Sequence, residues 1–149
     1  MKKAVVVVGA LLLGAGTVMA DQKLAVEQDN FMRSIAKGVY VTMFKMGKGD
    51  LPYDQAAVDA ALVQLETEVP KIPNLFKNNP KEHVVNATYG SSEKIWQNKA
   101  DFDSKVPPVI KAIADLKGKI KDQASVKIAF EILNDKCNGC HETYRLKLK

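Results

Sequence analysis

Residues able to build a reactive site are scarce in this chain. Two cysteines, two histidines and one tryptophan occur in 149 residues, so a centre built from Cys and His must use very few of them. The formal net charge is only +5, and two of the lysines behind it are Lys2 and Lys3. No cluster of basic residues stands out, which excludes a nucleic-acid-binding surface. Strand-like alternation is missing, as are internal repeats and low-complexity tracts. His83 has no second Cys or His cluster near it, so it reads as an exposed loop histidine rather than a metal ligand.

What is present starts with an export pattern. Lys2-Lys3 is followed by an apolar run from Ala4 to Val18, and Val18-Met19-Ala20 places small residues before Asp21. This is the layout of a secretory signal peptide, residues 1–20, cleaved after Ala20. The competing reading, an uncleaved membrane anchor, meets a run short of the roughly 20 residues a spanning helix needs. Residues 21–149 then form one domain.

Four stretches of that domain carry helical spacing. Phe31, Ile35, Val39, Met43 and Met46 recur at steps of three and four from about Gln22 onward, closed by Gly47-Lys48-Gly49-Asp50. Asp54 is a good N-cap for a second helix carrying Val58, Ala61, Leu62, Leu65, Val69 and Ile72. Pro70 and Pro73 should kink or end it. Residues 74–90, rich in Asn, Pro and Lys, read as a loop. Ser91 or Ser92 caps a third helix, in which Pro107 either opens a new segment or marks a kink; Gly118 stops it. The fourth runs from about Asp122 to Tyr144. Each apolar stripe lacks a partner alone, so the expected fold is all-α: an antiparallel up-down-up-down four-helix bundle.

The only two cysteines fall in Cys137-Asn138-Gly139-Cys140-His141, the C-x-x-C-H spacing of covalent haem attachment. Two thiols can add to the two haem vinyl groups, and the following imidazole reaches the iron. On a helix the three residues project from one side, because they stand at i, i+3 and i+4. A disulfide is the alternative for an exported cysteine pair, and a thioredoxin-like site is another. His141 argues against the first and the absence of a βαβ pattern against the second.

With these features the chain resembles the class II cytochromes c, the cytochrome c-prime family, along its whole mature length. The resemblance rests on Lys48-Gly49-x-x-Pro52-Tyr53-Asp54, on Lys94-Ile95-Trp96, and on the run from Cys137 through Glu142-Thr143-Tyr144-Arg145. It implies a periplasmic protein with one covalent haem c and its iron. It also implies single-electron transfer with membrane-bound or periplasmic redox proteins, or alternatively binding of nitric oxide and carbon monoxide. Some family members leave the iron five-coordinate; in others a first-helix methionine completes six ligands. A homodimer through the first two helices is a further expectation, although the apolar stripes can be spent inside one bundle.

The ligand opposite His141 follows from helix arithmetic. His141 lies about 28 Å along the fourth helix from Asp122, at about 1.5 Å per residue. In an antiparallel partner its counterpart must lie well back from the end of the first helix. Met32 is about 21 Å back from Met46, whereas Met43 is within roughly 5 Å of that end. Met32 and Phe31 are therefore the candidates, and the resemblance favours Met32, in Phe31-Met32-Arg33-Ser34. Where the family often has an arginine four residues earlier, this chain has Gln28. A thioether ligand suits electron transfer; an apolar Phe31 face would leave the iron open to gas. Arg145 either holds a haem propionate beside the proximal histidine or is solvated in a basic tail. Tyr144 is expected against haem or core, and Trp96 against haem or in ordinary core. Enzymatic chemistry is not expected, because the first helix offers no polar acid–base group near Met32 except Arg33 and Gln28.

Overall fold

A computed structural model describes residues 13–149, with side chains from residue 18 onward. Residues 1–12 of the expected signal peptide lie outside the described residues. Helix α1 spans Leu13–Ala36, so it begins earlier than the apolar stripe indicates. It continues without a break as a π-helical segment, Lys37–Phe44, and a closing α-turn, Lys45–Lys48. Gly49 ends it at φ +83°, the left-handed region open to glycine. Its backbone N–H donates back to the carbonyls of Lys45 and Met46.

Helix α2, Gln55–Glu68, starts where expected: the Asp54 carboxylate accepts from the Ala57 N–H at 3.1 Å. Pro70 does not end the path but tightens it. Val69–Lys71 is a 3-10 turn, followed by one α-turn, Ile72–Leu75. The expected third helix is divided. Short helical pieces, Lys94–Gln97 and Lys99–Ser104, precede α3, Val106–Leu116. Asn98, at φ −135° and ψ 59°, breaks the first from the second. Ser92 accepts from the Lys94 N–H at 3.3 Å. Pro107 lies in the first turn of α3, beside Val106, where a missing N–H costs nothing. Gly118, at φ +72°, follows it.

Helix α4, Gln123–Tyr144, opens on a capping box in which Asp122 and Ser125 satisfy each other's backbone N–H groups. Beyond it lies an element with no forecast in the apolar pattern. Strands β1, Tyr89–Ser91, and β2, Arg145–Lys147, pair antiparallel, with Gly90 opposite Leu146. The chain's tail is thus stapled to the long loop.

The four helices form the expected antiparallel bundle around one main core. Met43, Val58, Ile113 and Val126 are among its most deeply buried members. Burying a methionine or leucine completely contributes about 1.5–3 kcal/mol. Where α1 crosses α4 the contact is close: a Cβ on Gly47 would lie 2.9 Å from the Lys127 Cα. A second, smaller cluster joins Phe76, Ile95, Phe102 and Tyr144. Met32 and Ile72 pack against both clusters and bridge them. Among the described residues no helix is long and apolar enough to cross a membrane.

Candidate haem site

The seam between the two clusters is a cavity of about 400 Å³. The last turns of α4 supply one wall, through Cys137, Cys140, His141 and Tyr144; α1 and its π-helical continuation supply another, through Gln28, Met32, Ile35 and Val39. The sequence spacing and the fold therefore converge. The helical period brings the C-x-x-C-H residues to one side of α4, and the bundle turns that side toward α1.

Both cysteines are free and half-buried. Burial raises both thiols above their ordinary range, Cys140 to about 11, with the neighbouring Cys137 adding to the shift. Burial, helped by the positive charge of Arg145, pushes the His141 imidazole down to about 4. The ring is thus neutral at physiological pH and keeps a lone pair for a metal. Its Nδ1 is buried with no hydrogen-bond partner. Two unpaired thiols, a neutral and unsatisfied imidazole and a largely apolar cavity between them fit a covalently held haem.

Of the candidates on α1, only Met32 lines this cavity. Phe31 packs against the main core instead, and Met43 and Met46 are buried there, away from the site. Arg145 does line the cavity, but not as a residue on a further helical turn. The helix ends at Tyr144, and Arg145 turns extended at φ −103° and ψ 127°. Its guanidinium lies 4.4 Å from the centroid of the Tyr89 ring. Tyr144 is buried, packs edge-on against Phe102 and donates its hydroxyl proton to Asp101 at 2.5 Å. That bond holds the Asp101 carboxyl below its ordinary range and pushes Tyr144 up to about 12.

Trp96 is half-buried against the second cluster, its indole N–H bonded to the Phe76 carbonyl at 3.0 Å. His83 is exposed, as expected of a loop histidine, yet the loop brings it to the cavity rim. Three contributors were not assigned a role from sequence: Tyr89 beneath Arg145, Asp101 beneath Tyr144, and Gln28 in the α1 wall. Only Gln28 carried a signal, as the one polar residue in the row Ala25, Gln28, Met32, Ile35, Val39.

Helical bundle, C-terminal attachment motif and apolar cavity together define a class II c-type cytochrome. The family model described as cytochrome c′ matches residues 24–145. The chain is 62% identical to cytochrome c-555 of Bradyrhizobium diazoefficiens, with 100% of both chains covered. It is 39% identical to cytochrome c-556 of Rhodopseudomonas palustris, covering 99% of each. Among solved structures, oxidized R. palustris cytochrome c556 superposes with a TM-score of 0.72 at 34% identity, covering 86% of this chain and 99% of that one. Cytochrome c′ of the same organism gives 0.72 at 27% identity, covering 85% and 98%. The chain belongs to the cytochrome c′ family. It is a monohaem electron carrier with one covalent haem c and its iron, exchanging electrons with redox partners.

Proposed function

We propose that the chain is an exported, periplasmic electron carrier in which Cys137 and Cys140 would hold the haem and His141 and Met32 would ligate its iron. When bound, the haem supplies a one-electron Fe(III)/Fe(II) couple. The thiols of Cys137 and Cys140, at i and i+3 on one side of α4, would hold it through thioether links. The His141 imidazole, already neutral, would offer its lone pair to the iron, and the Met32 thioether would be a second ligand that favours a high reduction potential. Arg145, at the cavity edge, provides a cation suited to a propionate.

The observation that carries this reading is that Met32 and His141 line the same cavity, while the other methionines of α1 beyond it are spent in the core. Arg33 and Gln28, two of the polar residues of α1 near Met32, each donate to a partner. Arg33 pairs with Asp29 at 2.6 Å, and the Gln28 amide donates to two backbone carbonyls. Neither is free for acid–base work, which supports a carrier rather than an enzyme. Export is supported by the signal pattern of residues 1–20.

Optical spectra of the purified protein test the proposal. The expected ferric form is low-spin and the ferrous form is unchanged by carbon monoxide, while Met32→Ala becomes high-spin and binds the gas. A high-spin ferric protein that Met32→Ala leaves unaltered removes Met32 as a ligand and returns the site to gas binding.

A further inference from the structure

Gln28 sits one helical turn before Met32 on the same face of α1 and is only 2% exposed. Its Nε2 donates to the Leu75 carbonyl at 3.2 Å and to the Asn78 carbonyl at 3.1 Å. Both neighbours are acceptors, so the amide nitrogen must face them and the orientation of the group is fixed. Its Oε1 is left buried with no partner. An amide that buries an unpaired oxygen inside an apolar row is costly, and an aliphatic residue there would pack without that loss.

What the amide holds is the roof of the cavity. Leu75 ends the turn that extends α2, and Asn78 follows it in the loop. Between and just beyond them, Phe76 and Pro80 line the cavity. Leu75 and Ile72, like Met32, pack against the second cluster. The strap therefore ties α1 to the segment that shares the second cluster and the cavity lining with Met32. No other polar group of α1 reaches that segment among the described residues.

We infer that Gln28 is a positioning residue: by tying α1 to the carbonyls of Leu75 and Asn78 it keeps Met32 seated over the open side of the haem. This rests on the proposed Met32 ligation. Without the strap, α1 and the roof separate and the thioether spends part of its time off the iron. The bundle core below, carried by other residues, stays intact.

The test uses the mature holoprotein carrying Gln28→Leu, which keeps the bulk and removes both donors. Carbon monoxide is the probe of an open site, and the ferric methionine-to-iron charge-transfer band is the probe of ligation. The expected result is a weakened band and at least tenfold faster carbon monoxide binding to the ferrous form. Gly47→Ala, strained far from the cavity, is the control: it should lower stability while leaving band and gas binding as in the parent. Should the Leu variant fail to mature, Gln28→Asn, too short to span both carbonyls, is read the same way with a smaller effect. Met32→Ala is measured alongside. If it abolishes the band while the Gln28 variants behave like the parent, the strap is wrong and the ligation stands. If Met32→Ala leaves the ferric spectrum unchanged, the ligation fails and the strap with it. If Gly47→Ala opens the site as much as Gln28→Leu, the effect is general loosening and the inference is overturned.

Discussion

Arg145 and Tyr89, from the two strands of the terminal ribbon, meet at the cavity edge with the guanidinium 4.4 Å from the ring centroid. An exposed cation–π contact of this kind contributes about 0.5–1 kcal/mol. Here it also parks a fixed positive charge close enough to His141 to help depress the imidazole pKa. The same field disfavours the extra positive charge of ferric iron. Arg145→Gln should therefore lower the reduction potential, by an amount on the order of tens of millivolts. Redox titration of parent and variant checks this; an unchanged or higher potential in the variant would show that Arg145 does not act on the iron.

Two glycines should respond to alanine with opposite signs. Gly139 lies in α4 with open space around it, so Gly139→Ala gains helix propensity, about 0.5–1 kcal/mol. Gly47 lies where α1 meets α4, and a Cβ would come within 2.9 Å of the Lys127 backbone. Overpacking costs about 1–3 kcal/mol, which outweighs the roughly 1 kcal/mol of helix propensity gained. Urea unfolding of the two holoproteins gives both numbers, and shifts of the same sign would contradict the packing assigned to the crossing.

The helix that bears the attachment motif depends on its cap, and the cap depends on pH. The Ser125 hydroxyl and backbone N–H both donate to the Asp122 carboxylate, at 2.7 and 2.8 Å, and hold it below its ordinary range. A depressed folded-state pKa stabilises the fold fully above the ordinary carboxylate value of about 3.9. That contribution is lost as pH falls through the lower folded value. Asp122→Ala should consequently lower Tm at pH 7, and the gap to the parent should narrow as pH falls below about 3.9. A gap that widens in acid would mean that the carboxylate is not what caps α4.

These helix ends were readable because they are local. Asp54 as a cap and Gly118 as a stop each act within one turn of their own position, so spacing alone located them, and Asp122 was located as the start of its helix, though not as its cap. Phe31 and Met32, of which it is Met32 that lines the cavity, were readable as the two candidates for a different reason: a fixed rise per residue makes depth along an antiparallel bundle a matter of counting. The ribbon was not, because three-residue strands are too short to show alternation and their pairing joins segments distant in sequence. That is why Arg145 leaves the helix on which the motif stands. The π-helical segment Lys37–Phe44 was hidden too, since its buried residues also satisfy a helical stripe. Gln28 looked only like a departure from the family's arginine. Its partners are two backbone carbonyls of the loop, which no side-chain pattern can announce.

The claim that Met32 and His141 face each other across the iron is tested most directly by proton NMR of the ferrous protein with methyl-labelled methionine. A ligand methionine lies over the haem plane, so its methyl signal moves far upfield. One such signal is expected in the parent, lost in Met32→Ala. No upfield methionine methyl in the parent, or one that survives in Met32→Ala, would contradict it.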